Sequence, residues 1–244
     1  WVSDSTKGKI KKLIQKIKRD DVLFLINAAY FKGEWRFKFT KGHTFLRDFH
    51  LPDGRTKEVP MMTGECNSYR YLRTDKFQAV SMPYGEGRFS MYIFLPDEKS
   101  GLEEFYAVLD KGNWDMWMSR LEDKEGIISL PRFEFRYEIL LNDALKALGM
   151  GIAFDRRRAD FSNMIMLERI PPGINAYIRK AKHKSFIRVD EEGTEAAAAT
   201  EVTMTLTAAV ICDGFRMEVN RPFFFAIVDN ETKAVLFMGS VVEP

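Results

Sequence analysis

The stretch from Glu191 to Cys212 constrains the fold of this chain more than any other part of it. It reads E-E-G-T-E-A-A-A-A-T-E-V-T-M-T-L-T-A-A-V-I-C. Side chains of an extended strand alternate between two faces. The opposite face would hold both glutamates after Gly193, and the first face would carry small and then apolar side chains, at Thr194, Ala196, Ala198, Thr200, Val202, Met204 and Leu206. This pattern indicates a strand with one buried face, preceded by a glycine whose backbone torsions are free.

A short helix is the alternative for the same stretch. Thr194 could cap it, and the four alanines favour it. Only about eight residues would be helical, which is marginal in water without packing. The β-prone continuation V-T-M-T-L-T would also have to break away. We therefore expect a segment that is an exposed loop in one state and a sheet strand in another.

Five further motifs accompany this stretch in a fixed order. They are N-A-A-Y-F-K-G-E-W (27–35), D-F-H-L-P-D-G-R-T-K-E-V-P-M-M (48–62), A-K-H-K-S-F-I-R-V-D-E-E-G-T (181–194), V-N-R-P-F-F-F-A-I (219–227) and V-L-F-M-G-S-V-V-E-P (235–244). Together with G-T-E-A-A-A-A-T they resemble the serpin family over the whole chain. The alanine-rich stretch is similar to the hinge of the reactive-centre loop of inhibitory serpins.

The resemblance implies an α+β serpin fold, mainly antiparallel sheets with surrounding helices and a mobile reactive-centre loop at about residues 191–214. The family's fold has roughly another third of a domain before the position of Trp1. The chain is therefore expected to form the C-terminal two-thirds of a single serpin domain, residues 1–244. Its length alone suits one large domain or two small ones.

Composition excludes several classes of partner. A net charge of +2, with 30% of residues charged and both signs interspersed, implies no nucleic-acid partner. No apolar run reaches membrane-spanning length, so no membrane partner is expected. No signal peptide is seen at Trp1, although a missing N-terminus would remove one. An extracellular or cell-surface location is favoured, and the cytoplasm is the alternative. Cys66 and Cys212 could be two free thiols or one bridge. Free thiols are favoured, because Cys212 falls in the expected loop.

Hydrophobic periodicity predicts the other elements. The predicted helices are an amphipathic one at 9–17, a helical region at 101–121 and one at 140–148 that ends at Gly149. A strand covered on both faces is expected at 22–31, and a long one at 175–190. The remaining strands form a hairpin (43–50 and 56–62), a meander (67–74, 77–84 and 88–95), two pieces joined at Pro131 (126–137) and a final pair (222–228 and 234–242).

The motifs of enzyme active sites are not found in the sequence. It has no G-x-S-x-G, H-E-x-x-H, P-loop or C-x-x-C pattern. The three histidines, His43, His50 and His183, are not grouped with a candidate nucleophile; a triad on His183 stays open, but nothing marks a partner serine. No two residues have metal-ligand spacing. We expect no enzyme, no catalytic residue, no metal and no cofactor. Asn230-Glu231-Thr232 matches a glycosylation acceptor; a chance match is favoured, and the motif matters only if the protein is secreted by a eukaryote.

Two polar residues lie within apolar strands, Asn27 and His183. They could be satisfied core groups. The resemblance instead implies that they lie together where the main sheet parts, and that they control its opening with Trp35 and Arg132. It also implies that Arg132 pairs with Glu191, which alone could be a weak surface ion pair. The implied hinge residues are Glu191, Gly193, Thr194, Glu195, Ala196, Ala197, Ala198 and Ala199.

By resemblance, the protein is a suicide-substrate inhibitor of serine proteases, with cysteine proteases as a second target class. The uncut protein is metastable, and the cut loop inserts into the main sheet, an established instance of strand addition. The protease is then trapped as a covalent acyl-enzyme. The free inhibitor is expected to be a monomer that can polymerise by loop–sheet contacts. A non-inhibitory serpin, either a carrier or a chaperone, is the alternative, and an unrelated hydrolase is a third hypothesis. The small hinge residues favour inhibition.

The reactive bond is expected between Thr207 and Ala208, because the family usually cuts fourteen residues after the hinge glycine, Gly193. A small residue before the bond suits elastase- or subtilisin-like enzymes. A chymotrypsin-like enzyme could instead cut after Leu206 or Met204.

Overall fold

The computed structural model describes residues 2–11, 23–164, 175–194 and 212–244. The chain divides into two compact units. The first contains residues 1–31 and 135–187, and the second contains residues 32–134 and 188–244.

The first unit is built on a parallel strand pair. Its elements are α1 (Val2–Ser5), β1 (Leu23–Tyr30), most of β9 (Phe133–Leu140), α4 (Asn142–Leu145) and most of β10 (Ile178–Val189). β1 pairs with β10 from Leu23 opposite Ile178 to Tyr30 opposite Phe186, and β9 also pairs with β10. Lys182 and Lys184 of β10 both contact the carboxylate of Glu138.

Three predictions for this unit need correction or remain open. The helix predicted at 9–17 lies mostly outside the described residues. The strand at 22–31 is present as β1, but Leu25 and Asn27 are exposed, because the described residues of this unit place no layer over that face. The helix predicted at 140–148 is a single α-helical turn followed by a wider turn. Its end is correctly placed, since Gly149 has a φ of 97° that other residues rarely adopt.

The second unit contains a nine-stranded sheet. Its strands are β3 (Thr44–His50), β4 (Thr56–Thr63), β5 (Asn67–Arg73), β6 (Phe77–Tyr84), β7 (Phe89–Pro96), β8 (Glu122–Pro131), β12 (Phe215–Glu218), β13 (Phe223–Asp229) and β14 (Val235–Val241). The order across the sheet is β14-β13-β7-β6-β5-β8-β4-β3, and β12 lies beside β8. All pairs are antiparallel except β12 with β8. The predicted hairpin, meander and final strand pair are confirmed.

Two helices, α2 (Gly101–Val108) and α3 (Lys111–Arg120), pack on one face of this sheet. The core between them is aromatic, and its rings lie 5.0–6.1 Å apart between centroids, at Phe77, Phe94, Phe105, Trp117 and Phe224. The prediction of a single helical region at 101–121 is therefore wrong in one respect, because the structure has two helices there. Asp110 caps α3 through a hydrogen bond that its side chain accepts from Asn113 N, so the helix is interrupted there.

Cys66 and Cys212 form a disulfide, so the expectation of free thiols is wrong. β5 and β12 both begin opposite Gly126 of β8, because Asn67 and Phe215 are each paired with it. The segments that precede the two strands therefore converge, and the two cysteine Cα atoms lie 5.8 Å apart, a distance that a disulfide can span.

Among the helices that the structure describes, none has the length and apolar character of a membrane span.

Candidate functional site

The second unit holds the hinge in a short strand, β11 (Gly193–Thr194), beside β2 (Gly33–Glu34). β11 is antiparallel to both of its neighbours: Thr194 pairs with Val189 of β10 and with Gly33 of β2. A Cβ atom at Gly193 would lie 2.1 Å from the carbonyl oxygen of Gly33. Glycine is therefore required here by the close approach of two backbones, in addition to the torsional freedom that the sequence suggested.

Thr194 is completely buried at this position. Its Oγ1 lies 2.6 Å from the hydroxyl of Tyr84, which is also buried. Burial raises the pKa of Tyr84 well above its ordinary value, against a smaller lowering by Thr194, so the phenol remains neutral and can donate this bond. The first small residue of the expected inward face thus already occupies a closed site in the uncut chain.

Trp35 holds the turn that leads into the hinge. Its indole Nε1 donates to the carbonyl of Asp190 at 2.9 Å, and its backbone N–H donates to the carbonyl of Glu192 at 2.9 Å. Its ring is 3% exposed and stacks on Tyr84, with 4.4 Å between ring centroids. Trp35 therefore joins the turn at 190–192 to the residue that binds Thr194.

Glu191 brings a buried carboxylate into the same site. Its side chain is 3% exposed, and Arg132 Nε lies 2.9 Å from each of its oxygens, with a further contact from the Arg132 terminal nitrogen. Thr44 Oγ1 donates to the same carboxylate at 2.5 Å. Burial by itself raises the pKa of Glu191, but the hydrogen bonds from Arg132 and Thr44 outweigh it, and the pKa is lowered. We refer to Trp35, Thr44, Tyr84, Arg132, Glu191, Gly193 and Thr194 as the hinge site.

The structure contains the Arg132–Glu191 pair that the resemblance implied. It also adds Thr44 and Tyr84, which sequence reasoning missed. Their contacts join residues 147 and 110 positions apart, and neither lies in a pattern that marks it.

Asn27 and His183 are register partners in the first unit, on β1 and β10. Asn27 is exposed and His183 is half-buried, so the two are not a pair of deeply buried core groups. The structure places them opposite each other, on strands that pair directly.

Seven of the predicted site residues lie outside the described residues. They are Glu195, Ala196, Ala197, Ala198 and Ala199 of the hinge, and Thr207 and Ala208 of the reactive bond.

Residues 1–244 match the profile of Serpin, described as serine protease inhibitor. The chain belongs to the serpin family. Among curated relatives, Serpin-ZXA of Oryza sativa subsp. japonica is 35% identical over 255 residues, which covers 100% of this chain and 62% of that protein. The chain thus spans about three-fifths of the length of the curated relatives it matches.

Two solved structures show the same fold. The thermophilic serpin tengpin, in its native state, has a TM-score of 0.85 and 32% identity, covering 100% of this chain and 61% of its own. Thyroxine-binding globulin in complex with thyroxine has a TM-score of 0.84 and 27% identity, covering 100% of this chain and 62% of its own. The α+β serpin fold expected from the sequence is confirmed.

Two further observations concern other kinds of site. Within the described ranges, no group of three His, Cys, Asp or Glu residues could hold a metal ion. The side chain of Asn230, in the glycosylation-like triplet, is fully engaged: its amide donates to Gly87 O and Ser90 Oγ at 2.8 Å, and its oxygen accepts from Tyr92 at 2.7 Å. Asn230 therefore has a structural role in the turn after β13.

Proposed function

We propose that this serpin inhibits serine proteases as a suicide substrate, with its reactive bond between Thr207 and Ala208. The direction of β11 is the observation that carries the proposal. Thr194 is paired antiparallel with Val189 at the end of β10, which is the direction that an inserted strand beside β10 would take. The face that continues from Thr194 carries Ala196, Ala198 and Thr200, which are all small, so this face can enter a sheet without displacing bulky neighbours.

The chemistry of inhibition belongs to the protease. Its serine attacks the carbonyl of Thr207, the amine of Ala208 leaves, and an ester joins the two proteins. The freed loop end then adds as a strand to the sheet, which gives new backbone hydrogen bonds and buries the small face. If insertion is faster than hydrolysis of the ester, the protease is carried along and the ester persists. A cysteine protease would form the corresponding thioester.

Insertion also requires β1 to separate from β10, since the two strands now pair directly. We propose that Asn27 and His183, which face each other on these strands, influence how easily they part. Trp35 and the Arg132–Glu191 pair act at the hinge site, where they hold the turn at 190–192. Premature opening exposes strand edges that a second molecule's loop could fill, which is the expected route to polymers.

A gel of the protein mixed with elastase-, subtilisin-, chymotrypsin- and trypsin-like proteases tests this proposal. We expect a denaturant-stable covalent band with the elastase- or subtilisin-like enzyme. A protease whose catalytic serine is replaced by alanine is the control, and it should give no such band. Cleavage without any covalent band from every active protease would contradict inhibition.

Ala196→Arg should convert the inhibitor into a substrate, because Ala196 is the next residue of the expected inward face after Thr194, which is already buried in the uncut chain. Insertion would bury an unpaired charge there at a cost of several kcal/mol, and insertion would fall behind ester hydrolysis. Glu195→Arg, on the outward face of the same strand, is the matched control and should inhibit normally. The readout is the number of inhibitor molecules consumed per protease inactivated. An equal number for both variants would contradict the assignment of the inward face.

A carrier function is the second candidate, and one cavity favours it. A cavity of about 580 Å³ in the second unit is lined by Trp114, Met118 and Val228, with Arg70 and Lys233 among its charged residues. Such a site suits an apolar anion, and the related thyroxine-binding globulin binds thyroxine. Quenching of tryptophan fluorescence by thyroxine tests it, with Trp114→Phe as the control. Saturable quenching without any covalent protease complex would favour the carrier.

A further inference from the structure

The Cys66–Cys212 disulfide lies directly after residues 195–211, which contain the proposed reactive bond. Cys66 immediately precedes β5, and Cys212 lies three residues before β12. Both strands begin opposite Gly126 of β8. The disulfide therefore fastens the chain that follows residues 195–211 to the turn between β4 and β5.

The chain after Cys212 is also attached noncovalently, through one short strand. β12 pairs with β8 over four residues, Phe215–Glu218. The Phe215 ring stacks on Tyr71 with 3.9 Å between centroids, and it lies so close to Gly126 that a Cβ there would be 2.4 Å from it. A strand of this length can open locally at a lower free energy than the whole unit. The disulfide prevents Cys212 from leaving even when β12 opens.

This difference matters because one end of an inserting strand must be able to move along the sheet. A strand advances about 3.3 Å per residue along its neighbour, so the end of an inserting segment travels tens of ångströms. In the uncut chain that end is still joined to Cys212, and it can follow only if residue 212 and β12 leave β8. After cleavage between Thr207 and Ala208 the inserting piece has a free end, and the disulfide no longer restrains it.

We propose that the Cys66–Cys212 disulfide makes loop insertion conditional on cleavage, and that its reduction allows the uncut protein to convert to an inserted, inactive form. The inference rests on the function proposed above. Both cysteines are partly exposed, so a protein dithiol of the thioredoxin class can reach them. One thiolate of the dithiol attacks one of the two cysteine sulfurs, forms a mixed disulfide with it and releases the other cysteine. The second thiolate of the dithiol then attacks the reductant's own sulfur in the mixed disulfide and releases the remaining cysteine. Two electrons and two protons pass to Cys66 and Cys212, and the reductant becomes a disulfide.

The test compares three forms of the protein after warming without any protease. They are the oxidised parent, the parent reduced with a dithiol and alkylated while folded, and the Cys66→Ala/Cys212→Ala double variant. Conversion is followed by tryptophan fluorescence in urea, because an inserted strand should raise the unfolding midpoint. We expect the two forms without the disulfide to convert at least about tenfold faster, the factor that corresponds to about 1.4 kcal/mol of barrier.

Two controls keep the outcome specific. The double variant treated with the same reductant should behave as it does without reductant, and reoxidation of the reduced, unalkylated parent should restore slow conversion. If the double variant does not fold, the reduced parent and its reoxidation decide the result.

Equal conversion rates with and without the disulfide would overturn the proposal, and so would the absence of conversion in every form. Failure of the inhibitor function is seen separately, as the absence of a covalent protease complex from all freshly prepared forms. The conversion assay contains no protease. It therefore distinguishes failure of the disulfide proposal from failure of the inhibitor function.

Discussion

At the scale of single residues, Glu191 shows how far a buried charge depends on its neighbours. Its carboxylate is almost fully buried, whereas its partner Arg132 is 44% exposed. Removing one partner of such a pair lowers the stability by more than the intact pair contributes to it, because the remaining charge stays buried and unpaired. Water can reach the half-exposed arginine side of the pair, which moderates that cost.

Arg132→Ala should therefore lower the free energy of unfolding by roughly 1–3 kcal/mol. Urea unfolding measures it as a lower midpoint with an unchanged slope. Lys111→Ala is the control, because it removes an exposed pair with Asp115 on α3 that contributes at most about 1 kcal/mol. Equal losses from the two substitutions would show that Glu191 does not depend on Arg132.

The same carboxylate predicts an acid dependence. Its folded pKa lies below the usual value of 4.5, so its contribution to stability is complete above pH 4.5 and is lost as the pH falls through the folded pKa. The stability difference between the parent and Glu191→Gln should therefore shrink on acidification below pH 4.5. Urea midpoints over this range measure the difference, and the exposed Glu65→Gln provides the comparison. A difference that stays constant would contradict the lowered pKa.

At the scale of elements, β11 depends on one buried hydrogen bond between Tyr84 and Thr194. Tyr84→Phe and Thr194→Val each remove this buried hydrogen bond, and each should lower the free energy of unfolding by about 1–3 kcal/mol. The double variant removes both hydroxyls, so it should cost less than the sum of the two. Urea unfolding of all four proteins gives the coupling energy, expected near 1 kcal/mol. Exact additivity would mean that the hydroxyls do not interact.

Local patterns predicted most strands well. The hairpin of β3 and β4 and the meander of β5, β6 and β7 follow from side-chain alternation and turn residues, and their ends were placed within one residue. The break between α2 and α3 was missed although its signal is local, since Asp110 lies three residues before Asn113 as a helix cap requires. The short α4 was overestimated, because helical spacing alone does not set where a helix begins.

At the scale of the whole molecule, the sequence could not predict contacts between distant segments. Gly193 was recognised as a glycine with free backbone torsions, but its closest neighbour, Gly33, is 160 positions away, and only the fold shows that their backbones touch. Cys66 and Cys212 are 146 positions apart, and their pairing depends on two strands that meet at Gly126. Burial and register decide such contacts, and neither is a property of a short stretch of sequence.

The last prediction concerns the products of cleavage. Elastase should cut between Thr207 and Ala208, because threonine is small and uncharged, and residues 192–215 contain no Lys or Arg for a trypsin-like enzyme. The disulfide should keep the piece that begins at Ala208 attached, since Cys212 lies within it. Intact mass should therefore show one species, heavier by a single water, before reduction. After reduction a separate fragment should begin at Ala208.

Thr207→Arg is the matched variant, and it should transfer cleavage at the same bond to a trypsin-like enzyme. A fragment that begins elsewhere would refute the assignment of the reactive bond for elastase, and a start at residue 205 or 207 would identify Met204 or Leu206 as the residue before the cut. Release of the fragment without a reductant would instead show that Cys212 is not bonded to Cys66. The intact-mass spectra before and after reduction therefore test the reactive bond and the disulfide separately. The mass of the fragment reports the position of the cut, and its need for a reductant reports the disulfide.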